Sequence, residues 1–357
     1  MTKRIVIMAG GTGGHVFPAL AVAQLLLEKG WQVSWLGTQK GLESRVVPEN
    51  GIAIDIISVA GIRGKGVLSK ITAVFGLVKA CGQAASVLRQ RKPDVVLGMG
   101  GFVAGPGGLM AKLLGIPLVI HEQNRVVGTT NRLLARIANR VLEAFPDSFK
   151  KSTGAICTGN PLRKQFLDQL HEREPKVGQS VNILIIGGSQ GAQILNEVVP
   201  EAIAHWRTQT DAPAVQVKHQ TGAVMQAQVA SRYQALGIEA EATAFIDDMV
   251  AAYQWADSLI CRAGAMTVSE VAAVGIPAIF VPLPSAIDDH QTANAHYLTD
   301  ADAGLLLMQK DLNADTLAEQ LTFMLNNLNE MSSAATRLAR LDATEVVANY
   351  CIAEAKS

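Results

Sequence analysis

Aromatic residues make up only 5% of the 357-residue chain, charged residues 17%, and cysteine occurs four times. With few aromatics and no recognisable nucleic-acid module, nucleic acid is a poor partner. Low charge beside 49% apolar residues excludes a disordered or coiled-coil chain. At roughly 150 residues per domain, two globular domains are expected. Cys81, Cys157, Cys261 and Cys351 stand far apart without CxxC or Cys/His spacing, so neither a zinc site nor a disulfide framework is expected. Met1 is not followed by an apolar h-region, and the longest apolar stretch, residues 71–88, holds Lys79, Gln83 and two glycines. Neither a secretory signal nor a spanning helix is expected, which makes the protein cytoplasmic. No G-x-x-x-x-G-K-[ST] occurs, which disfavours P-loop ATP hydrolysis.

Charge is present but segregated. Lys/Arg and Asp/Glu both number 31, yet residues 1–164 hold 21 basic against 8 acidic side chains and residues 165–357 hold 10 against 23. The basic half suits phosphate or an anionic membrane. Residues 56–93 carry seven basic residues and no acidic one. There Ile71, Val74, Phe75 and Val78 share one helical face beside Lys70 and Lys79, and Arg132, Arg136 and Arg140 form a second stripe. Each such cation near anionic lipid contributes about 1 kcal/mol, so peripheral attachment follows without a spanning helix. A core-facing helix explains the apolar stripe but not the missing carboxylates.

Strand-like runs alternate with helical patterns: residues 4–9, then 17–29, then 31–36; residues 94–97 through glycines into 108–114; residues 181–186, then 192–204. This predicts α/β architecture with parallel sheets. The halves also repeat. GGTGGH at 10–15 and GGSQGA at 187–192 each close a strand and open a helix, and Asp94 with Gly115-Ile-Pro echoes Asp257 with Gly275-Ile-Pro at offsets of 163 and 160 residues. Two similar doubly wound domains are expected, spanning 1–164 and 165–340, with 341–357 a helix packing back on the first. A linker is expected between Asn160-Pro161 and Ser180.

Glycine turns between strand and helix gather unpaired N–H groups at a positive helix end, an anion site. Neither turn has dinucleotide spacing, and the second strand ends in Gly37-Thr38 where an acidic ribose ligand belongs. Residues 187–191 also match the G-x-S-x-G nucleophile elbow, so a serine hydrolase using Ser189, Asp257 and His290 is an alternative. Residues 261–270 run from strand to helix: hydroxyls and amides there suit a diphosphate, and Glu270 a ribose diol. Thr267 followed three residues on by Glu270 fits an N-capping arrangement as well. His121-Glu122-Gln123-Asn124 follows a strand at the carboxyl end, where open α/β sheets place ligands. Acidic pairs such as Asp288-Asp289 occur, but no metal site is assigned.

In order along essentially the whole chain stand MAGGTGGHVFPALAVA, GIRGKG, KPDVVLGMGGFVAGPGG, HEQN, TGNPLR, GGSQGA, FIDDM, TVSE and DDHQTANA. In these motifs the chain resembles the lipid-linked N-acetylglucosaminyltransferases of bacterial cell-wall synthesis. Arg125, Ala263 and Met266 depart from that pattern without removing a reactive group. The resemblance implies a GT-B fold, two Rossmann-like domains facing a cleft. It implies inverting, metal-independent transfer of GlcNAc from UDP-GlcNAc to the MurNAc C4 hydroxyl of lipid I, giving lipid II, with no cofactor. By the same resemblance Ile246 presents backbone to uracil, Glu270 takes the ribose hydroxyls, and Ser189 with Ala265, Met266, Thr267, Val268 and Ser269 holds the diphosphate. Arg163 and Gln291 line the donor site, and Thr12, Gly13, Gly14 and Asn124 close it. His15 is the candidate base and Glu122 the runner-up. The expected setting is the cytoplasmic face of the inner membrane, on an anionic surface, with other cell-wall synthesis and division proteins as partners.

Overall fold

The structure, a computed structural model, describes residues 2–59, 67–170, 180–188, 192–209 and 213–356. The chain divides into two units, Met1–Lys164 with Leu341–Ser357, and Gln165–Arg340. The first carries 22 Lys/Arg against 11 Asp/Glu and the second 9 against 20.

In the first unit β1 (Arg4–Met8), β2 (Gln32–Gly37), β3 (Ala53–Ile56), β4 (Val95–Gly98), β5 (Leu118–Glu122), β6 (Arg140–Glu143) and β7 (Ile156–Cys157) form one parallel sheet in the order β3-β2-β1-β4-β5-β6-β7. Helices α1 (Gly13–Glu28), α2 (Glu43–Glu49), α3 (Val67–Arg91), α4 (Ala104–Leu113) and α5 (Thr129–Leu134) connect them. β1 shows why both faces are covered. Its side chains alternate sides, so Ile5 and Ile7 enter a core with Val16, Ala19 and Leu26 of α1, while Val6 and Met8 enter another with Ala84 and Leu88 of α3 and Ala111 of α4.

Two local expectations are corrected. α4 begins at Ala104, not at residue 108, taking Gly105, Gly107 and Gly108 into the helix. A Cβ at Gly107 would collide with Met8 Sδ, so glycine here permits helix-to-strand contact rather than a turn. The arginine stripe also dissolves: α5 ends at Leu134, Arg136 lies beyond it, and Arg140 opens β6, where its Nε donates to Glu354 at 2.6 Å.

α6 (Lys164–Asp168) follows, in the segment expected to link the halves. The second unit's sheet holds β8 (Ser180–Ile186), β9 (Ala214–Gln220), β10 (Glu239–Thr243), β11 (Ser258–Cys261), β12 (Ala278–Phe280) and β13 (Gly304–Leu306), in the order β10-β9-β8-β11-β12-β13. Helices α7 (Gln193–Gln209), α8 (Gln226–Ala235), α9 (Met249–Trp255), α10 (Ala265–Val274), α11 (His290–Thr299), α12 (Ala314–Asn326) and α13 (Leu328–Arg337) accompany it. The last helix, α14 (Ala343–Glu354), belongs to the first unit and buries Val347, Ala348 and Cys351 in the core that holds α1.

The halves repeat in detail. Asp94, just before β4, accepts from Arg4 N at 2.7 Å, and Asp257, just before β11, accepts from Asn182 N at 2.9 Å. Each aspartate therefore ties the start of its unit's fourth strand to the start of its first.

Candidate active site

Both sheets run outward from their first strand in two directions, so the loops after β1 and β4, and after β8 and β11, part at the carboxyl edge. Open α/β sheets bind ligands at such a switch point.

In the first unit β1 ends at Met8 and the chain turns through Gly10 and Gly11 into α1, capped by Thr12. Gly13 and Gly14 open that helix, with His15 half-buried in its first turn. The Thr12 side chain makes no capping bond. Arg163 stacks on Phe17 of α1, 5.5 Å from the ring centroid, and a Cβ at Gly13 would meet that same ring at 2.9 Å. Arg163 and the glycine turn are thus neighbours through Phe17. Glu43, wholly buried, underpins the turn: it accepts from Gly11 N at 2.9 Å, Thr38 N at 2.9 Å and Thr38 Oγ1 at 2.7 Å.

The turn after β4 closes over this one. Gly100 and Gly101 have φ of +94° and +79°, and a Cβ on Gly101 would strike the Gly10 carbonyl. On the far side of β4, β5 delivers residues 121–124. His15 Nδ1 lies 2.6 Å from Gln123 Oε1, which joins the loops after β1 and β5. Gln123 and His121 are fully buried. Burial pushes the His121 imidazole down to about 4, so it is neutral. Glu122 is committed elsewhere. Oε1 accepts from Asn124 N at 3.0 Å and Nδ2 at 3.3 Å, and Oε2 from Gly128 N at 3.1 Å and Asn131 Nδ2 at 3.0 Å. Its carboxylate shapes the loop that presents Asn124.

In the second unit α10 starts at Ala265 with Gly264 as its cap, which puts Thr267 and Glu270 inside the helix and corrects the capping arrangement expected of them. Ala265, Met266, Thr267, Val268 and Ser269 fill the first turns, where the positive end of the helix favours an anion. Ser269 Oγ donates back to Ala265 O at 3.0 Å. Glu270 accepts from Tyr253 Oη of α9 at 3.0 Å. Burial first, then the Glu270 charge, raise the Tyr253 hydroxyl well above its ordinary range and keep it a donor. Gln291, at the start of α11, accepts from Leu283 N at 2.9 Å. Ile246 sits half-buried in the loop before α9. Ser189 and the GIRGKG motif lie outside the described residues.

Tyr253, Gln123, Glu43 and the Gly100–Gly101 turn were not assigned from sequence. Each acts through a partner distant in the chain, and no spacing announces it. Among the described residues no group of three His, Cys, Asp or Glu side chains is arranged to hold a metal ion.

Residues 5–143 match the Glycosyltransferase family 28 N-terminal domain, and residues 182–348 match its C-terminal domain. The chain belongs to glycosyltransferase family 28. Family 28 membership makes it a transferase and leaves the hydrolase alternative unsupported. Geometry agrees: Asp257 precedes β11 at the amino edge of the sheet, whereas His290 follows β12 at the carboxyl side. The chain is 57% identical to a UDP-N-acetylglucosamine--N-acetylmuramyl-(pentapeptide) pyrophosphoryl-undecaprenol N-acetylglucosamine transferase of Methylococcus capsulatus, covering 99% of each. It is 50% identical to the Pseudomonas aeruginosa protein of the same name, covering 100% of each. The crystal structure of Acinetobacter baumannii MurG superposes with a TM-score of 0.85 at 41% identity, over 98% of this chain and 99% of that one. The glycosyltransferase of kitacinnamycin, at 16% identity and TM-score 0.74 over 100% of both chains, shares the fold. The two parallel-sheet domains are thus GT-B-like.

Proposed function

We propose that this family 28 enzyme moves GlcNAc from UDP-GlcNAc to the C4 hydroxyl of MurNAc in lipid I, forming lipid II with inversion. The observation that carries this is the 57% identity, end to end, with a relative named for that transfer. The acceptor oxygen attacks the anomeric carbon as the bond to the UDP phosphate breaks from the opposite face, and the electron pair leaves with UDP. His15 takes the hydroxyl proton, a contribution of about 10²–10⁴-fold for a placed base. It is favoured over Glu122 because that carboxylate already accepts four hydrogen bonds.

The second unit holds the donor. Glu270 takes the ribose diol, residues 265–269 and Ser189 the diphosphate, Ile246 the uracil through its main chain, and Gln291 the sugar. The N-terminus of α10 stabilises the departing charge. Thr12, Gly13, Gly14, Asn124 and Arg163 serve from the first unit, which also receives the acceptor diphosphate. The test is transfer of labelled GlcNAc from UDP-GlcNAc to a short-chain lipid I analogue. Label that stays water-soluble rejects the assignment.

The first unit also docks on the anionic cytoplasmic face of the membrane. Val74, Phe75 and Val78 of α3 are 61%, 72% and 65% exposed, an apolar face turned to solvent instead of the core. Arg125, Arg132, Arg136 and Lys150 line a cavity of about 720 Å³ in the same unit. No described helix is long and apolar enough to cross a membrane. Co-sedimentation with phosphatidylglycerol vesicles should weaken as salt rises. Absent or salt-indifferent binding contradicts the docking.

A further inference from the structure

Gln123 sits in a hydrogen-bond chain that runs from His15 to the main-chain carbonyls of Gly159 and His121, and a carbonyl oxygen only accepts. At one end His121 Nε2 lies 3.0 Å from Gly159 O, which requires the proton on Nε2. His121 is neutral, so its Nδ1 carries a lone pair. Gln123 Nε2 lies 3.0 Å from that Nδ1 and 3.0 Å from His121 O. Its two hydrogens go to these two acceptors. The amide therefore cannot be reversed, and Oε1 is the end that faces His15 Nδ1 at 2.6 Å.

An amide oxygen accepts, so His15 Nδ1 must donate. In a neutral imidazole that leaves the lone pair on Nε2. Glycine at position 100 leaves the ring its room: a Cβ there would lie 2.9 Å from both Nδ1 and Cε1 of His15. The web is braced from behind by Asn131 Nδ2, which donates to His121 O at 3.1 Å, and by Asn160 Nδ2, which donates to Gln123 O at 3.1 Å.

We propose that Gln123, oriented by His121, is a positioning residue that locks His15 in its Nδ1–H tautomer, so that Nε2 is the atom that receives the proton of the attacking acceptor hydroxyl. This rests on His15 being the base. In the step the O–H bond of the acceptor breaks, an N–H bond forms at Nε2, and Nδ1 keeps its proton on Gln123. A neutral amide, unlike a carboxylate, selects the tautomer without adding a charge beside the ring.

The tautomer is read directly by ¹⁵N NMR of the protein labelled at histidine, with the His15 signals assigned by their loss in His15→Ala. A protonated Nδ1 and a bare Nε2 are expected, and the reverse pattern overturns the proposal. In kinetics, Gln123→Met, which removes the acceptor at similar size, should lower kcat about 10–100-fold, less than full loss of the base, with the KM for UDP-GlcNAc little changed. Gln123→Glu restores an oxygen facing His15 and should recover part of that kcat. Equal losses in the two variants, or a loss confined to KM, would also overturn it. If the tautomer is as expected but His15→Ala keeps its kcat, it is the base assignment that fails, and the proposal with it.

Discussion

Tyr253 donates its hydroxyl to Glu270 across 3.0 Å, from a helix seventeen residues upstream. The bond fixes one carboxylate oxygen of a side chain on the first turns of α10, and a fixed carboxylate recognises a diol at less entropic cost than a mobile one. Glu270→Ala should raise the KM for UDP-GlcNAc by about 10–100-fold, the loss of a charged hydrogen-bond acceptor worth about 1.5–3 kcal/mol. Tyr253→Phe should raise it only a few-fold. Steady-state kinetics on both variants check this, and an unchanged KM in Glu270→Ala removes the ribose assignment.

The crossing of Gly101 over Gly10 leaves no space for a side chain, and its φ of +79° disfavours one. Gly101→Ala should cost about 1–3 kcal/mol and lower kcat by displacing the turn that precedes His15. Thermal unfolding and activity of that variant are the measurement. Gly115→Ala serves as the control, since its positive φ of +64° has no neighbouring atom within 4 Å. A Gly101→Ala variant with wild-type activity would show that the two turns are not tightly coupled.

Two buried histidines make stability depend on acid. Burial lowers His121 to about 4 and His219 to about 3, against 6.5 for the free side chain. Below pH 6.5 the unfolded chain binds protons that the folded one refuses, so their stabilisation is complete above pH 6.5 and is lost as pH falls toward 4. The slope is up to about 1.4 kcal/mol per pH unit for each histidine. Urea unfolding at pH 7.5, 6 and 5 should show this decline, and His219→Phe should reduce it. A flat profile contradicts the buried neutral states.

The chain's last helix stabilises its first unit. Val347 is fully buried in the core shared with α1, and Thr344 Oγ1 donates to Leu162 O at 2.7 Å. Val347→Ala should cost about 1.5–3 kcal/mol from lost burial and the cavity left behind. Val347→Asp should abolish soluble expression. Chemical denaturation of the alanine variant decides it.

Much of this was legible in sequence because it is local or repeated. The glycine turns announce themselves as strand-to-helix junctions, and the 163-residue offset of Asp94 and Asp257 marks two residues that do the same work, each tying two strand starts together. Burial of β1 on both faces follows from its unbroken Ile-Val-Ile run. What stayed hidden depends on partners far apart in the chain. Gln123 meets His15 across 108 residues, and nothing in HEQN separates its glutamine from its glutamate. Yet Glu122 organises a loop while Gln123 reaches His15. The start of α4 was misread because glycines that break isolated helices are tolerated where Met8 and Leu134 press against them.

The structure of the product tests the transfer most directly. Purified protein with UDP-GlcNAc, a short-chain lipid I analogue and EDTA should yield a disaccharide whose GlcNAc is joined β-1,4 to MurNAc, as read by NMR of the isolated product. An α linkage, attachment elsewhere than C4, or release of free GlcNAc would contradict an inverting transfer to lipid I.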